Sequence, residues 1–263
     1  MILFVFEGSD DCEIMNTIKA LYPKAISEDV VCLYKNNIYQ LYSKMKPSDS
    51  NPDFTQSLLS VLQERPDITQ NEVIANADED TFSQIFLFFD YDPQHKDPNE
   101  DIVDLVQHNN RLNEMLNFFD DETGNGKLYV SYPMVESLFY TKTLPDSNFT
   151  FCSIDLSKAK DFKALKHDYS DYKSNDFLLF NSRELIGCKA PRAYVPLNWE
   201  QVIKQNVIKA NYICIGKNNL PERKEDVKQK EIFDCQLKKY IALKKIAILS
   251  AYPMFLYEYL KDV

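Results

Sequence analysis

Gln84-Ile85-Phe86-Leu87-Phe88-Phe89-Asp90-Tyr91-Asp92 is the stretch from which the rest of the chain can be read. Residues 85–89 are apolar without a break, with none of the alternation that marks a half-exposed strand. That pattern predicts a strand buried on both faces, as in a parallel sheet covered by helices. The run stops abruptly at Asp-x-Asp. Residues two apart in extended chain point to the same side, so Asp90 and Asp92 are expected to present their oxygens together.

Working outward, the chain opens on a second run of the same kind. Residues 2–6 (ILFVF) end at Glu7-Gly8. Asp10 and Asp11 read as capping residues. Asp10 with Glu13 three residues on is a variant of the capping box, and Ile14, Ile18 and Leu21 follow at helical spacing. Residues 30–34 read as a strand, 46–53 (KPSDSNPD) as a loop, and 54–63 as a helix with Leu58, Leu59 and Leu62 on one side. After Asp92 a helix is expected from near Asn99, with Glu100, Asp101 and Asp104 in its first turns, where acids complement the dipole. Its apolar positions are Ile102, Leu105, Val106, Leu112, Leu116 and Phe119. The turn at 122–127 precedes a strand at 128–131, and Pro133 is expected at the first position of a helix through Val135, Leu138 and Phe139.

Strand and helix therefore alternate four times over residues 1–144. This implies an α/β domain whose parallel sheet is joined by right-handed crossovers. Residues 145–263 read as a second, basic and mainly helical region, with helices expected at 158–168, 199–210 and 224–245. The last directs Phe233, Leu237, Tyr240 and Ile241 inward and Lys238, Lys239, Lys244 and Lys245 outward. A strand-like 246–250 and a closing helix follow. The wording SYPM at 131–134 recurs as AYPM at 251–254, which reads as reuse of a strand-to-helix turn.

With 44% hydrophobic and 13% aromatic residues among 263, the chain is of globular and not disordered composition. No segment approaches the roughly 18 apolar residues that cross a bilayer, and the amino-terminal run has no basic flank, so a cytoplasmic protein is expected. Six scattered cysteines, without a CxxC pair or a neighbouring histidine, read as free thiols and exclude a patterned zinc site. His95, His108 and His167 have no metal spacing and read as surface or loop residues. Net charge is −10. It is unevenly spread: residues 1–154 hold 10 basic and 26 acidic side chains, and residues 155–263 hold 20 and 14. An acidic half able to hold a divalent cation, beside a basic half able to face phosphates, accounts for this; so do solvated helix faces of opposite sign.

In open parallel sheets functional groups collect at the carboxyl ends of strands. Acids stand at two such ends: Glu7 after the first strand, and Asp90 with Asp92 after the 85–89 run. Each alone fits a turn or a helix cap equally well. Together they make a set of hard oxygen donors suited to Mg²⁺, which takes few carboxylates and keeps waters and substrate phosphate.

Phe6-Glu7-Gly8 and Asp90-Tyr91-Asp92 resemble the Glu-Gly and Asp-x-Asp motifs of the TOPRIM domain of topoisomerases, primases and overcoming-lysogenization-defect nucleases. The resemblance covers about residues 1–140. It implies a TOPRIM-type sheet, a general acid/base or metal role for Glu7, and Mg²⁺ or Mn²⁺ coordination by Asp90 and Asp92. Tyr132-Pro133-Met134-Val135-Glu136-Ser137 also resembles a segment of TOPRIM-like proteins in anti-phage defence, which implies that Glu136, at a third strand end, adds a metal ligand or orients substrate; it reads equally as an ordinary helical residue.

The expected function is Mg²⁺-dependent hydrolysis of nucleic-acid phosphodiesters, DNA or RNA, with Lys238, Lys239, Lys244 and Lys245 holding the backbone. No GxxxxGK[ST] occurs, so the resemblance to PARIS-like effectors implies a separate ATPase partner. Self-association is left open. Two alternatives stand beside this reading: a non-catalytic TOPRIM-like sensor or interaction protein, and a haloacid-dehalogenase-like phosphatase. In the latter the Asp-x-Asp follows the first strand and precedes Gly-Thr, whereas here it is late and precedes Pro93-Gln94.

Overall fold

The computed structural model describes residues 1–46, 56–96, 103–180 and 193–260. A five-stranded, mostly parallel sheet runs in the order β2-β1-β3-β5-β4. Its strands are β1 (Ile2–Phe6), β2 (Asp29–Leu33), β3 (Gln84–Asp90), β4 (Asp120–Asp121) and β5 (Gly126–Ser131). β1 pairs in parallel with β2 on one side and β3 on the other, with Phe6 opposite Leu33 and Phe88. The short β4 runs antiparallel to its neighbour β5. The chain is thus α/β, as the two unbroken apolar runs require.

The chain divides into two compact units. Met1–Cys12, Ile26–Phe89 and His95–Leu128 form one, and Glu13–Ala25, Asp90–Gln94 and Tyr129–Val263 the other. In the first unit all five residues of β1 are buried, and its aromatic rings meet those of β3. Phe4 lies 5.8 Å from Phe86 and Phe6 lies 5.5 Å from Phe88, centroid to centroid. The helices α2 (Ile38–Met45), α3 (Leu58–Gln63) and α4 (Glu72–Ala75) start on Asn37, Ser57 and Asn71, whose side chains accept backbone N–H groups of the first turn. Gly126 opens β5 at φ +101° against Leu87 and Ile85, a position closed to any side chain.

Helix α5 (Leu105–Phe118) begins later than the sequence suggests, because Asp104 is its N-cap and accepts from Val106 and Gln107. Its buried face is His108, Leu112, Met115 and Leu116, which turns Val106 outward at 66% exposure. His108 is therefore a core residue and not a surface one. Its ring nitrogens stand 3.0 and 3.1 Å from the Tyr39 hydroxyl, and His95 stacks on Tyr39 at 4.5 Å. The expectations for 47–55, for Asn99–Glu100–Asp101–Ile102 and for Cys188 lie outside the described residues.

The second unit is built around α7 (Tyr194–Ile215), 22 residues long and ended by Gly216 in the left-handed region. Trp199, fully buried on it, donates its indole N–H to Leu178 O at 2.8 Å. The helix expected at 224–245 is interrupted. A 3₁₀ turn (Lys224–Val227) leads to α8 (Gln229–Lys239), a second 3₁₀ turn (Ile241–Leu243) follows, and Lys244 at φ +59° turns the chain into β7 (Lys245–Ala247). β7 pairs antiparallel with β6 (Ser153–Asp155). The segment expected at 158–168 is a 3₁₀ stretch followed by α6 (Phe162–Tyr169). Pro133 does not start a helix: Met134 precedes a 3₁₀ turn at Val135–Phe139. The two YPM segments also differ, since the later one lies inside α9 (Ala251–Tyr259).

No helix among the described residues is long and apolar enough to cross a membrane.

Candidate active site at the carboxyl edge of the sheet

The burial of β1 fixes the backbone that delivers Glu7, which is half-buried directly after Phe6. The next turn is tied by Asp11, whose Oδ2 accepts from Gly8 N–H at 3.1 Å as α1 (Ser9–Leu21) begins. Asp11 is therefore a turn-closing residue, as its capping reading implied.

On β3, Phe86 to Phe89 are buried and Asp90 is the last strand residue, half-buried. Tyr91 is fully buried against Tyr132 (5.5 Å) and Phe233 (6.4 Å), which anchors the chain between the two aspartates. The backbone continues beside residues 131–133: Tyr91 N–H donates to Ser131 O at 3.0 Å and Asp92 N–H to Pro133 O at 3.2 Å. Asp92, however, sits at φ +33° and is exposed. Its Oδ1 accepts from Gln94 N–H at 3.3 Å. The simple alternation that would put Asp90 and Asp92 on one face thus stops at Asp90. A non-glycine residue with this φ is uncommon, with Asp and Asn the most tolerant, and such residues concentrate at functional turns.

Glu136 lies in the 3₁₀ turn after β5 and is only 8% exposed. Its Oε1 is ion-paired with Lys163 Nζ at 2.6 Å, from the first turn of α6. Lys166, one turn further on, donates to Asn175 Oδ1 at 3.1 Å and lies over the Phe139 ring. Burial pushes its pKa down, while Glu136 partly restores it.

Lys238, Lys239, Lys244 and Lys245 are all exposed but do not form one helix face. The first two close α8, Lys244 is the left-handed turn residue and Lys245 opens β7. Lys239 also braces the fold, because its Nζ donates to Ile213 O (2.7 Å) and Cys214 O (2.8 Å) at the end of α7.

Sequence reasoning missed the Tyr39–His95–His108 cluster, although His108 falls in helical register with Leu112 and Met115. It also missed Lys163, for which pattern offers no signal. Among the described residues no group of three or more His, Cys, Asp and Glu is arranged to hold a metal ion. No family model, no curated protein and no solved structure matches this chain.

Proposed function

We propose that this chain hydrolyses nucleic-acid phosphodiesters, DNA or RNA, with a divalent cation at the carboxyl edge of a TOPRIM-type sheet. The observation that carries the reading is the strand order. β2 lies on one side of β1 and β3 on the other, so the order reverses between β1 and β3. Open α/β sheets bind ligands outside the strand carboxyl ends at such a reversal. Glu7 follows β1 directly and Asp90 closes β3.

The donor chemistry of Asp90 and Asp92 fits Mg²⁺ or Mn²⁺, since Mg²⁺ sites commonly use one or two carboxylates with waters and substrate phosphate. A cation held there would supply charge neutralisation at the phosphate. Glu7 is assigned proton exchange with the attacking water or the leaving oxygen, or a place among the cation's ligands. Glu136 enters less readily, because its carboxylate already meets Lys163. The exposed Lys238, Lys239, Lys244 and Lys245 would attract the phosphate backbone. A cytoplasmic role in anti-phage defence, with an ATPase as partner, rests on the family resemblance alone.

The test is cleavage of single- and double-stranded DNA and RNA with Mg²⁺ or Mn²⁺, with and without an ATPase encoded beside this chain. Glu7→Gln should lower the rate by ~10²–10⁴-fold, while unfolding free energy changes by less than about 1 kcal/mol. Asp90→Asn combined with Asp92→Asn should remove both cleavage and the metal-induced rise in Tm. Equal cutting by Glu7→Gln and the unmodified protein would discard the assignment. A Tm indifferent to millimolar metal would discard the cation site and favour a non-catalytic sensor.

A further inference from the structure

Cys214 and Cys235 stand apart from the proposed phosphodiester chemistry. Cys214 lies in the last turn of α7 and Cys235 in α8, and both are partly exposed. The Cys235 thiol donates to Cys214 O at 3.6 Å, so the two cysteines meet where α7 and α8 pack. Lys239, one helical turn beyond Cys235, donates its ammonium to the same Cys214 carbonyl at 2.8 Å. Two cysteines brought together across two packed helices, the thiol of one on the backbone carbonyl of the other and a cation on that same carbonyl, have the parts of a reversible redox pair.

We propose that Cys214 and Cys235 form a redox-modification site that a low-molecular-weight disulfide converts into an intramolecular disulfide joining α7 to α8. In the first step the Cys235 sulfur attacks one sulfur of the oxidant. The oxidant's S–S bond breaks, a Cys235 mixed disulfide forms, and one oxidant thiol leaves with the Cys235 proton. In the second step the Cys214 sulfur attacks the Cys235 sulfur. The mixed S–S bond breaks, the protein disulfide forms, and the second oxidant thiol leaves with the Cys214 proton. Two protein thiols are oxidised and one disulfide is reduced to two thiols, so electrons and atoms balance. The order of attack follows from the surroundings. Burial pushes the Cys214 thiol up to about 12, which makes Cys214 the resolving partner and leaves the first attack to Cys235.

The experiment incubates the full chain with glutathione disulfide over a range of oxidised-to-reduced ratios, then alkylates, digests and maps the peptides. The expected product is a peptide pair linked through Cys214 and Cys235, with the intact mass lower by about 2 Da for the two hydrogens lost. Cys214→Ser should instead accumulate a mixed disulfide at Cys235, heavier by one glutathionyl group. Complete alkylation of both cysteines at the most oxidising ratio overturns the proposal. So does a link confined to other cysteines, or a mixed disulfide in the unmodified protein that is never resolved. Because the decisive map is made on the unmodified chain, a serine variant that fails to fold does not spoil the test.

Discussion

The contact between β1 and β3 and the buried face of α7 are held by opposite means. Between the strands there are only apolar groups: Phe4, Phe6, Phe86 and Phe88 are at most 2% exposed and pack ring on ring. On α7 the buried face includes Gln205, Asn206, Lys209 and Asn211. Gln205 joins Thr141 and the Asp146 N–H, Asn206 joins Val202 O and the Ser250 N–H, and Lys209 joins Phe149 O and Cys152 O. Apolar burial is non-directional and scales with area, whereas a buried polar group is satisfied only by particular partners. A substitution therefore leaves a cavity in the first region and an orphaned donor or acceptor in the second.

The largest effect should come from making that cavity. Phe88→Ala removes a buried ring that meets both Phe4 and Phe6 of β1, and should destabilise by ~3–5 kcal/mol in urea unfolding. Phe88→Leu keeps most of the volume and should cost less than about 1.5 kcal/mol. If the two variants cost the same, volume is not what this contact depends on, and the contrast with α7 loses its basis.

The second effect tests the other side. Asn206→Leu keeps the heavy-atom count and branching of a fully buried side chain, yet it strands the Ser250 N–H, which Asn206 Oδ1 now accepts at 3.0 Å. Leaving such a buried group unmade costs ~1–3 kcal/mol. A change that keeps the branching of the side chain is thus expected to cost more on α7 than Phe88→Leu costs on β3. Indifference to Asn206→Leu would show that the amide network is ornamental to stability.

This contrast also marks what could be read in advance. Strands β1 and β3, and the acids at their ends, were legible because five apolar residues in a row leave few other folds open. The departure of Asp92 was not. Its positive φ accompanies the packing of Tyr91 on Tyr132 and Phe233 and the backbone hydrogen bonds of Tyr91 and Asp92 to Ser131 and Pro133, partners some forty or more positions away in sequence. The apparent helix at 224–245 failed for a similar reason. Gln236 both donates to Ala247 O (2.7 Å) and accepts from Ala247 N–H (3.1 Å), so α8 is braced against the strand that follows it. Helical spacing of apolar residues continues across that break and conceals it. Lys163, which neutralises Glu136, is a matter of topology and leaves no periodic trace.

The smallest effect is a pH dependence confined to α7. Lys209 has its Nζ 2.8 Å from Phe149 O and 2.6 Å from Cys152 O, over the Phe149 ring, with no carboxylate of the described residues in ion-pair contact. Burial, the leading cause, pushes its pKa down to about 7, against a weaker upward pull from Cys152 and Asp146. The unfolded chain, where a lysine titrates near ~10.4, therefore binds more protons at this position than the folded one between those values. Stability rises with pH wherever the unfolded state holds the extra proton. The contribution is thus least favourable below about pH 7 and is recovered as pH climbs through the window. Above roughly pH 8.5, where an unfolded cysteine ionises, Cys32 and Cys214, both pushed up to about 12 by burial, work the other way. The clean measurement is therefore the difference in unfolding free energy between the unmodified chain and Lys209→Met from pH 7 to 8.5. That difference should move by ~1–2 kcal/mol in favour of the unmodified chain. A difference that stays flat over this range would mean that Lys209 keeps its proton in the folded state and that the two carbonyls, with the ring, solvate an ammonium. In the β1–β3 contact no titratable side chain is buried between the rings, so Phe88→Leu should show no such slope.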